Sequence, residues 1–118
     1  MRLLLTICLL LLAAPARADE GMTVYLRNQQ DRAVVVEFRG RTTGTVWPGK
    51  GRVYLLDRKE RKSVTLGCVE GEEICYGAWV SGNDRIAFGV GPDDDLECED
   101  CCRICVAGTT ETIDIGAP

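Results

Sequence analysis

From residue 23 to residue 115, apolar and polar side chains alternate in short runs, and turn-forming residues separate the runs. Val34, Val36 and Phe38 interleave with Val35, Glu37 and Arg39, the period of two expected of a strand with one face in a core. Residues 23–28 predict a partner strand, and Asn28-Gln29-Gln30-Asp31 the turn between them, so the first pair reads as a hairpin. Residues 39–44 form a loop, and Trp47-Pro48-Gly49 a second break, because proline cannot donate to a central ladder. Residues 52–57 resume as strand, and the charged run 58–62 reads as a solvated tip. Residues 63–68 follow with Val64 and Leu66 inward, and residues 69–73 reverse the chain. The run Ile74-Cys75-Tyr76-Gly77-Ala78-Trp79-Val80 is apolar on both faces and predicts a central strand. After a turn at residues 81–84, Ile86, Phe88 and Val90 share one side of a strand, and a last strand at 109–115 turns Ile113 and Ile115 inward. About seven short strands in one small domain predict a mainly β fold, an antiparallel β-sandwich or small open barrel.

The opening of the chain has a different pattern. Met1-Arg2 is a short positive region, residues 3–14 are an almost unbroken apolar run, and Ala16-Arg17-Ala18 is a small-x-small cleavage site. Residues 1–18 therefore read as a secretory signal peptide. About twelve apolar residues fall short of the roughly twenty needed to span a bilayer, so no transmembrane anchor is expected after the leader is removed. Cys8 lies inside the apolar run, away from the cleavage boundary. Residues 19–118 are expected to form a single disulfide-stabilised β domain, starting at Asp19 and exported to the periplasm or beyond the cell.

Export changes the meaning of the cysteines. Cys68, Cys75, Cys98, Cys101, Cys102 and Cys105 remain after the leader, an even count in a short exported chain, and six thiols admit fifteen pairings. Cys98, Cys101, Cys102 and Cys105 stand at offsets of zero, three, four and seven. On a helix this spacing gathers four sulfurs on one face, with Asp93 or Asp94 as cap and Gly108 as stop. A tightly stapled loop is the alternative for the same stretch. The strands bearing Cys68 and Cys75 are expected to be neighbours joined by a turn at Gly71. Cys75 and Trp79 share a face, inferred to look toward the cysteine-rich segment. Two bonds from that segment to Cys68 and Cys75 would leave two of its cysteines to pair locally. Each closure stabilises such a fold by about 2 to 4 kcal/mol.

Three runs carry a resemblance. W-P-G at residues 47–49, G-E-E-I-C-Y-G-A-W at 71–79 and C-x-x-C-C-x-x-C at 98–105 resemble a family of small exported bacterial proteins of unassigned function. The resemblance implies a bacterial, periplasmic or secreted origin and brings no activity with it.

Composition narrows the chemistry. The chain has no histidine, which excludes Ser-His-Asp and Cys-His catalysis and imidazole metal ligation. Both halves of the cysteine run are C-x-x-C, the spacing of thiol oxidoreductases. Glu97, Glu99 and Asp100 around the first pair oppose a reactive thiolate, Arg103 aids only the second, and the βαβ context of such motifs is missing. Cys98, Cys101, Cys102 and Cys105 form an alternative Zn²⁺ or Cu⁺ ligand set, for which an oxidising compartment competes. The run Asp93, Asp94, Asp95 and Glu97 offers hard oxygen ligands without the glycine and closing glutamate of an EF-hand, and reads as solvated. Among the aromatic residues, Trp47 beside Pro48 is the one expected to be exposed as a partner contact; the others are needed for the core.

Charge is unevenly spread. Apart from the leader's Arg2 and Arg17, twelve basic residues face eighteen acidic ones; residues 27–62 hold ten basic and four acidic, residues 70–114 two and twelve. Because the basic residues are interleaved with strand formers, mutual neutralisation is expected and nucleic acid is not. The expected product is a non-enzymatic binding or structural module without cofactor, its partner an unidentified protein or envelope ligand.

Overall fold

The computed structural model describes residues 21–116, whose alternating positions become nine strands, so the predicted leader and its cleavage site lie outside the described residues. The first five are β1 (Met22–Asn28), β2 (Val34–Gly40), β3 (Val46–Trp47), β4 (Tyr54–Leu56) and β5 (Arg61–Leu66). After them come β6 (Glu73–Val80), β7 (Asn83–Gly89), β8 (Cys102–Ile104) and β9 (Thr110–Ile115). A three-stranded sheet has the order β5-β1-β9, with β5 antiparallel and β9 parallel to β1. A six-stranded sheet is built on the central pair β2-β6. β3 and β4 pair with the far side of β2, and β7 and β8 with the far side of β6.

The core lies between the two sheets. Met22, Val24 and Leu26 of β1, with Val64, Leu66, Ile113 and Ile115 beside them, face Val34, Val36 and Phe38 of β2 and Ile74, Tyr76 and Ala78 of β6. The mainly β sandwich expected from the alternation is the observed fold, and the run 74–80 is a central strand. Two elements exceed the expected seven, β3 and β8, both too short for their periodicity to be read.

Pairing differs from expectation in two places. β1 and β2 form no hairpin; they lie in opposite sheets. Asn28, only 2% exposed, explains the crossing: its Nδ2 donates to the carbonyls of Arg32 and Asp57, both at 2.9 Å, and its Oδ1 accepts from the Gln30 amide at 2.9 Å. The side chain thus holds the turn that carries the chain between layers. Likewise β5 and β6 are not sheet neighbours, because β5 pairs with β1 while β6 pairs with β2.

Of the two forms allowed for residues 93–108, the structure has the non-helical one, turns and bends followed by β8. Asp94 has positive φ, which a right-handed helix cannot accommodate, and residues 102–104 pair with β6 as a strand. Cys101 enters the core, and Cys102, opposite Cys75, is half-buried against it.

Candidate functional site: the outer face of the larger sheet

Residues 90–101 form a strap that folds back over the outer face of the six-stranded sheet. Gly77 makes the approach possible, since a Cβ there would run into the carbonyl oxygen of Gly91. Arg39 of β2 reaches the strap from below, donating from Nη2 to the Pro92 carbonyl at 3.0 Å and to Glu37 Oε1 at 2.6 Å. Arg41 forms a two-pronged ion pair with Asp94 and also donates from Nε to Cys75 Sγ at 3.2 Å. The strap returns through a backbone bond from Leu96 to Val90, and the Cys101 carbonyl accepts from the Tyr76 amide at 2.9 Å.

Beyond the strap the same face is apolar. Register aligns Leu55 of β4 with Val35 of β2, Val35 with Trp79 of β6, and Trp79 with Ala87 of β7, so one rung crosses four strands. None of these four belongs to the core cluster between the sheets. Val35 is nonetheless only 8% exposed, while Leu55 is 48% exposed and Trp79 and Ala87 are half-buried. Leu96 of the strap, 45% exposed, settles beside Ala87 over the bare backbone of Gly91. The result is an apolar rung exposed at Leu55, half-buried at Trp79 and Ala87 and buried at Val35. Its sequence signal lay in two runs, Val34-Val35-Val36 and residues 74–80, both apolar on the face that alternation should leave polar. The matching positions on β4 and β7 had none, because their register is set only by folding.

The six cysteines form three disulfides: Cys68–Cys105, Cys75–Cys102 and Cys98–Cys101. The first ties the chain between β5 and β6 to the chain after β8; the second joins opposed residues of β6 and β8. Cys98 is exposed and Cys101 buried, so the C-x-x-C bond can be reached from one side only. The set Cys98, Cys101, Cys102 and Cys105 is divided among all three bonds and does not converge. Among the described residues, the group whose ligand atoms lie within 4.8 Å of one another is Glu73, Cys75 and Cys102, and its two sulfurs are bonded to each other. No ligand-sized pocket forms among the described residues.

Trp47 departs from its expected exposure. It is 9% exposed and belongs to the core, because β3 pairs Trp47 with Phe38 and turns the indole to the inner face. The half-buried tryptophan on the outer face is Trp79.

Electrostatics bind the loops to this face. Glu72, 3% exposed, accepts from the Thr43 hydroxyl at 2.6 Å, the Thr43 amide at 3.0 Å and the Val69 amide at 3.4 Å. Burial opposes its ionisation most strongly of any single influence. The hydrogen bonds from Thr43, Val69 and Thr42 together outweigh burial and hold the carboxyl below the usual range. Arg27 of β1 and Asp114 of β9, register partners, pair at 2.7 Å through Nη2 and Oδ2, and the guanidinium lowers the carboxyl's pKa. The pairs Arg27–Asp114 and Arg41–Asp94 each join the basic half of the chain to the acidic half. Lys50, Arg52, Asp93, Asp95 and Glu97 are exposed and take part in no ion pair among the described residues.

Compared with protein-family models, with curated proteins and with solved structures, the chain matches none.

Proposed function

We propose that this protein is an exported, non-enzymatic binding module of the bacterial envelope or the surrounding medium, which engages its partner through the outer face of the six-stranded sheet. The observation that carries the reading is the rung Leu55-Val35-Trp79-Ala87, apolar on the face turned away from the core cluster, with Leu55 exposed and Trp79 and Ala87 half-buried. Exposed apolar surface of this kind, rimmed by charge, is where soluble proteins bind others. Three disulfides suit an oxidising compartment and keep a thin sandwich rigid, so little ordering is lost on binding. The leader at residues 1–18 supports export, and the described residues contain no helix long and apolar enough to cross a membrane.

A second reading, thiol–disulfide exchange, is favoured by one observation, the exposed Cys98 bonded to a buried Cys101. Opposing it, Glu97, Glu99 and Asp100 disfavour a thiolate there. One experiment separates the readings. The full chain is expressed in a bacterial host, recovered from cell fractions, denatured without reductant and titrated with an alkylating reagent. A periplasmic product that begins at Asp19 and contains no reactive thiol fits the module. Six reactive thiols with bound metal replace it by a thiolate metal site, and a Cys98–Cys101 potential in the range of disulfide oxidoreductases replaces it by redox chemistry.

A further inference from the structure

We infer that the Cys75–Cys102 bond is a thiol-modification site: a small external thiol enters at Cys102 and displaces Cys75, whose sulfur departs against the guanidinium of Arg41. The site does not depend on what the outer face of the sheet binds.

Each of the three disulfides joins a covered residue to one that solvent reaches. Cys75, Cys101 and Cys105 are 0%, 2% and 1% exposed, while Cys102 and Cys68 are half-buried and Cys98 is exposed. An attacking thiolate therefore arrives at Cys102, Cys68 or Cys98, and the buried partner is the leaving group in every case. Access alone does not choose among the three bonds; charge does.

Thiol exchange is faster when the departing sulfur is stabilised as a thiolate, and a neighbouring cation does this. Among the described residues, Cys75 is the one cysteine whose sulfur accepts a hydrogen bond from a charged side chain, Arg41 Nε at 3.2 Å. Nη1 and Nη2 of the same guanidinium hold Asp94, so Nε stands at the sulfur before any reaction. Arg39, opposite Cys75 in the register, and Arg103, next to Cys102 on β8, add positive charge, partly offset by their partners Glu37 and Glu111. Glu73, with a carboxylate oxygen within 4.8 Å of both sulfurs, opposes a thiolate, but it is exposed and screened by water. Cys98 has the reverse setting, since Glu97, Glu99 and Asp100 around it are exposed and repel an incoming thiolate.

The external thiolate bonds to Cys102 Sγ as the bond from that atom to Cys75 Sγ breaks. The electron pair of the broken bond stays on Cys75 Sγ, beside the Arg41 Nε–H. A second external thiolate then attacks the external sulfur of the mixed disulfide and frees Cys102 as a thiolate. Two external thiols become one disulfide, their two protons pass to solvent, and the two electrons rest on Cys75 and Cys102.

The test treats the oxidised protein with 2-mercaptoethanol without denaturant, quenches with iodoacetamide at early times and maps the products by fragmentation mass spectrometry, which separates Cys101 from Cys102. Expected is an adduct on Cys102 with the alkyl group on Cys75, formed about three- to tenfold faster than adducts at Cys98 or Cys68. Arg41→Gln should slow this cleavage about three- to tenfold, and Arg41→Lys should partly restore it. Asp94→Asn loosens the strap and leaves the Arg41 charge in place, so cleavage should be no slower than in the wild type. A first adduct at Cys98, Cys68 or Cys75, equal rates at all three bonds, or no adduct at all overturns the inference. So does Arg41→Gln cleaved at the wild-type rate, or Asp94→Asn slowed as much as Arg41→Gln. Should Arg41→Gln lose its near-ultraviolet circular dichroism, the order of adducts on the wild-type chain decides alone.

Discussion

Gly77 shows how much can depend on a missing side chain. Its φ is ordinary for a strand, yet a Cβ there would collide with the Gly91 carbonyl, which is backbone and cannot swing aside. Gly77→Ala is expected to lift the strap and cost about 1 to 3 kcal/mol, read as a lower urea midpoint, with faster amide exchange confined to residues 90–101. Glu72 is the opposite case, a residue fixed by what it accepts. Because its folded pKa lies below its unfolded value, it contributes stability that is fully present above the ordinary carboxylate range and lost as pH falls through the depressed value. Glu72→Gln should therefore cost about 1 to 2 kcal/mol near neutrality and flatten the acid limb of the stability curve. An unchanged acid limb would assign that loss to other carboxylates. Neither role was legible beforehand. Gly77 sat within an apolar run, and Glu72 was one of three acidic residues in a stretch 69–73 that reads only as a turn.

At the scale of elements, alternation located the strands and failed on their partners. Period two reports which face of a strand is buried and says nothing about which strand lies beside it, so the β1–β2 hairpin was a fair inference from proximity and an incorrect one. The cysteine segment was left between two forms, of which the loop is observed. Spacing that would align four sulfurs on a helix is equally produced when a strap must send Cys102 to β6, Cys105 to the chain after β5 and Cys98 to its near neighbour. Loop length separates the three bonds energetically. Cys68–Cys105 and Cys75–Cys102 span 37 and 27 positions, Cys98–Cys101 only 3. By loop closure, replacing both members with alanine should cost about 3.5 to 4 kcal/mol for either long bond and about 2 for the short one. Denaturant unfolding of the three paired variants measures this. Equal losses would mean that the short bond does more than close a loop.

The whole molecule is a small sandwich with three cross-links. Together the three closures are of the order of 9 kcal/mol by the same relation, comparable to the whole stability of an ordinary domain. The fully reduced and alkylated mature chain should accordingly lose its near-ultraviolet circular dichroism and its cooperative thermal transition. Retention of both would show that the core between the sheets suffices. Charge also acts at this scale. The basic and acidic halves neutralise each other in part, through Arg27–Asp114 and Arg41–Asp94.

What the order of residues determined alone was local or global in composition: where strands run, which side of each is apolar, that six cysteines follow the apolar run of residues 3–14, and that histidine chemistry is impossible. These follow from periodicity and inventory, which no folding step alters. What the tertiary structure decided was every relation between distant residues. It set the two-sheet pairing, the burial of Trp47 in place of Trp79, the partners of the sulfurs, and the line of Leu55, Val35, Trp79 and Ala87 across four strands. Such relations depend on register between segments far apart in the chain, and register is fixed only when the inner faces pack together.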